Sequence, residues 1–469
     1  MFKKSAIIVL LATVATAALG QDAKTILGNV SKAMGADNLK SLQYSGTATE
    51  FAFGQAVNPS SPWPGFAEKS YTRTINYETP AWRVDRVLAP IPPDRRGGGL
   101  PPGPTQTLVI GPNTSWGQQV DLWLTPYGFI KEAAKSNATA SSKSMNGKKY
   151  TVVSFIAPNK AKFNGYIDEQ NMLARVETWI DTPMLGDTLL EVSYDSYKDF
   201  GAVKFPTAIV QKQGGYATLD LTVTDVKANA PADIQGNPAP APQTPPATSQ
   251  KLADGVYLIL PAYAALAVDF KDYIVIVEGP QSEERATAVI TEAKRVIPNK
   301  PIKYVVNTHN HFDHSGGLRT FIAEGATIIT YQGNKAYFGK IFALPHTLNP
   351  DRQATAKKKI MIETMADKKV LTDGNHVIEL HRLQGSNHND GLIVAYLPKE
   401  KILVEADAFN PPAQANAPPP NPPTANNTNL VENIERLKLD VETIIPIHYP
   451  ADSRKVSIAE LNRAVGKKD

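Results

Sequence analysis

The sequence predicts an α+β protein in two parts, an antiparallel β-rich domain followed by a layered α/β domain. Three observations carry this. Before residue 230, short runs rich in Tyr, Thr, Val and Phe alternate with polar residues and are broken by Gly, Pro and Asn, the pattern of an antiparallel sheet. After residue 250, strand-like and helix-like segments take turns, the pattern of layered α/β structure. Between them, residues 230–250 read APADIQGNPAPAPQTPPATSQ, with too little apolar content for a core and a preference for extended polyproline geometry. This segment reads as a linker that couples the two parts loosely.

Composition narrows the options. With 42% hydrophobic and 20% charged residues over 469 positions, the chain is globular and long enough for two or three domains. A formal net charge of +4 is too small for a dedicated nucleic-acid binder. The absence of Cys removes disulfides, thiolate metal ligands and a Cys nucleophile, so any metal must be held by His and carboxylates.

The elements follow in order. Lys3 and Lys4, the apolar run Ala6–Leu19 and the small residues Ala18 and Gly20 read as a secretory signal peptide over 1–20, cleaved before Gln21. The apolar run falls short of the ~20 residues of a membrane span, so no stable membrane anchor is expected. The mature protein is then expected to be exported, to the periplasm or beyond. Residues 21–229 make the β-rich domain. A helix is expected at Ala23–Met34, then strands at Tyr44–Phe53, Tyr71–Tyr77, Trp82–Leu88, Lys149–Ile156, Ala174–Ile180, Leu189–Tyr197 and Ala217–Val226. The segment PIPPDRRGGGLPPGP, residues 90–104, reads as a long mobile loop. Residues 251–469 make the second domain. Strands are expected at Val256–Leu260, Asp272–Val277, Lys303–Asn307 and Thr327–Thr330, with helices at Ser282–Val296 and from Gly317. The stretch from Asn410 to Asn429 carries seven Pro and no charge, so it is expected to be a semi-rigid flap without helix or inner strand.

Chemistry concentrates in the second domain. After the apolar run Tyr304–Val306 comes Asn307-Thr-His309-Asn-His311-Phe-Asp313-His314-Ser-Gly-Gly317. In extended chain, i and i+2 share a side, so His309 and His311 can grip one ion. Asp313 and His314 lie just beyond, where the glycines let the chain turn. Three further residues sit at strand ends, where layered α/β proteins build sites: His388 in GSNHNDG, Asp407 after Ile402–Ala406, and His448 after Ile444–Ile447.

This set resembles the metallo-β-lactamase superfamily, over about residue 252 to the C-terminus. The HxHxDH motif stands unchanged at His309, His311, Asp313 and His314, and His388, Asp407 and His448 follow in the family's order. The resemblance implies an αββα sandwich with two zinc ions per chain. His309, His311 and His388 would hold the first, Asp313, His314 and His448 the second, with Asp407 bridging. It implies a hydrolase in which the two metals lower the pKa of a shared water and the resulting metal-bound hydroxide attacks an ester, thioester, lactone or lactam. Asp313 would orient the nucleophile as the catalytic residue. The partner is then a small-molecule substrate.

Two departures stand out. Glu278 occupies the place of the family's early Asp, and His448-Tyr449-Pro450 replaces the frequent His-Gly. Asp390 is placed to orient His388 or cap its turn, and His346 is placed in a pocket or on the surface. His376 and His381 read as structural. A rival on the same fold is a mononuclear iron oxygenase of the persulfide dioxygenase type, which keeps HxHxDH. A third reading is a carrier in which the N-terminal sheet binds an apolar ligand. That sheet, through Tyr194–Pro206 and Thr224–Asn229, weakly resembles the outer-membrane lipoprotein carrier type.

Overall fold

The computed structural model describes residues 22–92, 94–99, 103–236, 246–261, 263–414 and 417–467. The signal-peptide reading over 1–20 lies outside these residues, as do residues 237–245 of the proline-rich segment. No described helix is long and apolar enough to cross a membrane.

The N-terminal part is one eleven-stranded antiparallel sheet. Each strand pairs with its neighbours in sequence, except that the first, Ser41–Phe51, also pairs with the last, Tyr216–Ala228. That pairing brings both ends of the domain to its middle and leaves Thr105–Ile110 and Thr139–Met145 as edges. The helix Ala23–Met34 forms because Ile26, Leu27, Val30 and Met34 recur on one face, and that face packs into the core. A second helix, Pro126–Lys135, lays Tyr127, Phe129, Ile130 and Ala133 against the same core.

The second part begins with the strand Thr248–Ala253, so the last residues of the proline-rich segment already belong to a sheet. Two sheets stack face to face. One has seven strands, antiparallel from Thr248–Ala253 to Ile274–Val277, then parallel through Ile302–Val306, Thr327–Tyr331 and Ile362–Met365. The other has six, ending in Ile402–Glu405, Thr443–Pro446 and Val456–Ser457. Between them lie Val256, Leu258, Leu266, Val277, Ile378, Ala395, Val404 and Ile445. Strands such as Ile274–Val277 and Ile393–Leu397 are buried at every position, so they read as continuous apolar runs rather than alternating ones. Helix Glu283–Val296 covers one outer face, and Ala425–Leu437 with Ile458–Ala464 covers the other. The layers are αββα.

The two parts are not loosely coupled. Ala56, Trp63, Met184 and Leu185 of the first share one apolar core with Ile259, Ile276, Phe312 and Phe342 of the second. Trp63 stacks on Tyr216 at 4.6 Å and meets Phe312 edge-on. The Asp187 carboxylate accepts from the backbone of Thr347 and Leu348. A proline-rich connection does not prevent docking when both parts offer apolar surface.

The proline-rich flap is also shorter than its composition implies. The helix Ala425–Leu437 starts inside it, because Thr424 accepts from Asn427 N and caps the first turn. The prolines end at Pro423, so nothing blocks helix from there.

Candidate metal centre

The seven candidate ligands and Glu278 lie at one edge of the αββα sandwich, where strands end. Glu278 follows Ile274–Val277, and His309 and His311 follow Ile302–Val306. Asp313 and His314 lie in the single turn Phe312–Ser315, Asp407 follows Ile402–Glu405, and His448 follows Thr443–Pro446. His388 sits between Val377–Arg382 and Ile393–Leu397.

Their ligand atoms converge in two groups, each within 4.8 Å: His309, His311, His388 and Asp407, and Asp313, His314 and His448. Asp407 touches both. Its Oδ2 is 3.5 Å from His309 Nε2 and 3.4 Å from His388 Nε2, and its Oδ1 is 3.1 Å from His448 Nε2. Ring nitrogens face each other directly, His309 Nε2 to His388 Nε2 at 3.3 Å and His314 Nε2 to His448 Nε2 at 3.2 Å.

The far side of each ring shows which nitrogen carries a proton. His314 Nδ1 lies 3.2 Å from Glu278 Oε2, and the Thr308 hydroxyl donates to the same oxygen at 2.8 Å. With its proton committed there, Thr308 Oγ1 accepts from His309 Nδ1 at 3.1 Å. One wholly buried carboxylate thus orients two imidazoles and leaves their Nε2 atoms toward the cluster. Glu278 holds itself by accepting from Gly279 N. Asn307 donates to the carbonyls of His309 and His314 and accepts from Thr330, pinning the loop that carries four candidate ligands.

Asp407 has φ +60°, a left-handed backbone that costs a non-Gly residue energy. The turn is held by Glu405, whose buried Oε2 accepts from Ala408 N and Phe409 N. Burial pushes the Glu405 carboxyl up to about 8.

The electrostatics divide the histidines. Burial lowers His309 far below the ordinary range and takes His311 down to about 3, helped by neighbouring rings. Burial also works to lower His314, but Asp313, Asp407 and Glu278 outweigh it and hold it well above. Asp313 and Asp407 resist the upward push of burial because the imidazoles hold them low. Neutral imidazoles and ionised carboxylates are the forms that bind cations.

Among the candidate ligands, two buried atoms have no hydrogen-bond partner, His311 Nδ1 and Asp407 Oδ2, although His314 Nε2 is 2.7 Å from the latter. Unpartnered acceptors aimed at a common centre, among nitrogen and oxygen donors without sulfur, fit a divalent metal of the zinc type.

Three contributors have no signal in the sequence. Tyr263 sets its ring edge-on to His448 at 4.8 Å and directs its hydroxyl to Asp313 Oδ2 at 3.4 Å. Gln55 donates to Asp313 Oδ1, and the Ala56 carbonyl lies 3.0 Å from His311 Nε2. Other expectations are corrected. The Asp390 carboxylate makes its bonds to Arg96 and Asn58 rather than to His388. His346 is neither in the centre nor on the surface; it is buried beside Asp181 and Asp351 where the two domains meet. His381 pairs with Glu379 and His376 stacks on Phe270, both away from the centre. The segment expected to be a mobile loop is pinned. Gly97 N donates to Asn387 O and Gly98 N to Gln55 O.

Above the ligands lies a cleft of about 820 Å³. The N-terminal domain walls it with Gln55, Arg95 and Gly97–Gly99, and the proline-rich flap walls it with Asn410, Pro411, Pro422 and Pro423.

Residues 277–448 match the metallo-beta-lactamase superfamily model. The search of curated proteins gave no match. Among solved structures, the chain is similar to a metallo-beta-lactamase from Pontibacter korlensis, with 20% identity and a TM-score of 0.35, covering 47% of this chain and 97% of that one. It is similar to a metallo-beta-lactamase from Hirschia baltica, at 17% identity and TM-score 0.35, covering 47% and 96%. It is also similar to the metallo-beta-lactamase FIM-1 from Pseudomonas aeruginosa in the mono-zinc form, at 18% and 0.35, covering 48% and 95%. The family match, on an αββα sandwich whose strand ends gather a His/Asp metal-binding group, makes residues 277–448 a metallo-beta-lactamase superfamily domain, and the protein a metal-dependent hydrolase.

Proposed function

We propose that the chain is an exported dinuclear zinc hydrolase that opens an ester, thioester, lactone or lactam bond. The observation that carries the two-metal reading is the position of Asp407. Its Oδ2 lies 2.7 Å from His314 Nε2 and 3.5 and 3.4 Å from His309 and His388, and its Oδ1 lies 3.1 Å from His448, so one carboxylate touches both groups. His309, His311 and His388 would hold one zinc ion, Asp313, His314 and His448 the other, and Asp407 both. Zinc bound there supplies a Lewis acid and a water acidic enough to ionise near neutral pH.

The chain's own residues do the rest. Glu278 fixes the proton on His314 Nδ1 and, through Thr308, on His309 Nδ1, so neither ring can turn. Asp313 has one oxygen held by Gln55 and the other toward Tyr263 and His448, positioned to orient a nucleophile and pass its proton to a leaving group. Tyr263 is pushed up to about 12 by burial and by Asp313, so it stays a hydrogen-bond donor at neutral pH. The cleft between the two domains, about 820 Å³, is large enough to admit a small molecule. Export rests on the signal-like Lys3–Gly20 segment.

The test is turnover of a panel of lactams, lactones, esters and thioesters by the purified chain, before and after chelation. Hydrolysis of at least one class, lost with chelator and restored by zinc, supports the reading. Oxygen uptake with iron and no hydrolysis contradicts it.

A further inference from the structure

Five consecutive residues of the N-terminal domain each contact the loops that carry the candidate ligands. The Gly54 carbonyl accepts from Phe312 N at 3.3 Å. Gln55 Nε2 donates to Asp313 Oδ1 at 2.8 Å. The Ala56 carbonyl accepts from His311 Nε2 at 3.0 Å and from Asn389 Nδ2 at 3.3 Å. The Val57 carbonyl accepts from Asp390 N at 2.8 Å, and Asn58 Nδ2 donates to Asp390 Oδ2 at 2.7 Å. We propose that Gly54–Asn58 is the outer shell of the metal centre, with Gln55 a positioning residue for Asp313 and the Ala56 carbonyl fixing the tautomer of His311, so that metal loading depends on the N-terminal domain.

The chemistry is directional. A carbonyl oxygen only accepts, so His311 must carry its proton on Nε2. Its lone pair is then on Nδ1, the buried atom with no partner. Without Ala56 the ring is free to turn or to exchange its proton. For Asp313 the logic is similar. Gln55 occupies Oδ1, which leaves Oδ2 to face His314 at 3.4 Å and His448 at 3.8 Å. Glu278 does this work for His309 and His314 from within the metallo-beta-lactamase domain, whereas His311 and Asp313 receive it from outside that domain. Outer partners of this kind typically change metal affinity 10–100-fold.

The glycine loop keeps the segment in place. A Cβ on Gly98 would collide with Gln55 Oε1 and lie 2.8 Å from His311 Cε1, so only glycine allows this approach.

The inference rests on reading these residues as metal ligands, and the test separates the two. Zinc affinity of the full chain is measured by competition with a chromophoric chelator, for the wild type, Gln55→Met and Gly98→Ala. Met keeps the reach of Gln and removes the donor. We expect two zinc ions in the wild type. Gln55→Met is expected to weaken the site of Asp313 about 10–100-fold, with the other site and the melting temperature of the metal-free chain unchanged. Gly98→Ala is expected to weaken the site of His311 by a similar factor. Gln55→Asn, one methylene too short, serves if the Met variant does not fold, with the same loss expected. A wild type with two zinc ions, and variants that bind both with wild-type affinity, overturn this inference alone. A lower melting temperature with unchanged affinity also overturns it. A wild type that takes up no zinc overturns the functional reading and this inference together.

Discussion

Gln55 and Asp313 meet side chain to side chain at 2.8 Å, 258 residues apart in sequence and in different domains. A metal centre that sequence assigns wholly to the C-terminal half is therefore completed by a loop of the N-terminal sheet domain. Asp313 sits in a single helical turn, Phe312–Ser315, too short to hold a carboxylate by itself. The hydrogen bond supplies what the local structure lacks.

The shared core predicts joint unfolding. Trp63 is buried between Phe53, Tyr216 and Phe312, at ring distances of 4.8, 4.6 and 6.1 Å. Trp63→Ala should cost about 3–5 kcal/mol. Calorimetry of the wild type should show one cooperative transition, and the variant should lower it. Two well-separated transitions in the wild type would mean that the domains are energetically independent.

Glu278 predicts a loss out of proportion to its distance from substrate. Glu278→Ala leaves the Thr308 hydroxyl and His314 Nδ1 buried without an acceptor, a destabilisation of about 1–3 kcal/mol. It should also weaken zinc binding about 10–100-fold. Glu278→Gln keeps one acceptor oxygen and should lose less on both counts. Equal metal affinity in all three proteins, measured by chelator competition, would remove Glu278 from the centre.

In the metal-free protein the buried histidines should cost stability as pH falls below about 6.5, the ordinary histidine value. His311 titrates at about 3 when folded and His309 is also well depressed, so between these limits the unfolded chain binds more protons. The contribution of these two histidines then rises with pH across that window, while Glu405, pushed up to about 8, and Glu68, pushed up to about 7, contribute the opposite slope. His314 is shifted upward, so its contribution is complete below 6.5 and adds no slope there. Asp313 and Asp407 are depressed, and their contribution is lost only at lower pH, as they protonate. Denaturant midpoints between pH 4.5 and 6.5 measure the slope. The wild-type slope should exceed that of His311→Gln, and equal slopes would contradict the burial of a neutral histidine there.

The proline-rich flap predicts a split between binding and chemistry. Pro411, Pro422 and Pro423 line the cleft, and none contributes to the two groups of ligand atoms. Replacing all three by Ala should raise KM several-fold for a substrate that fills the cleft, with zinc content unchanged and kcat changed less. Unaltered KM across the substrate panel would make the flap a bystander.

The candidate metal ligands were legible in sequence for a physical reason. HxHxDH is local, Asp407 and His448 each follow an apolar run, and His388 lies in a turn that leads into another. Glu278 was legible as a substitution at a strand end. Tyr263 was not, because a lone Tyr in a turn carries no periodic or chemical signature. Ala56 could not be read at all, since what it contributes is a backbone carbonyl. The glycines at 97–99 suggested mobility, but here glycine permits close approach to Gln55 and His311. Helix Pro126–Lys135 and strands such as Lys162–Ile167 were missed because short elements buried on a large sheet are specified by tertiary packing more than by local pattern. The docking of the two domains was missed for a related reason. Trp63 and Phe312 are ordinary core residues until both surfaces are in view.

Elemental analysis of the purified chain tests the central claim most directly. The arrangement of seven ligands around Asp407 predicts two zinc ions per chain, falling toward one in His388→Ala and in His448→Ala, with each variant still folded. A single iron per wild-type chain, unaffected by loss of His448, would contradict it.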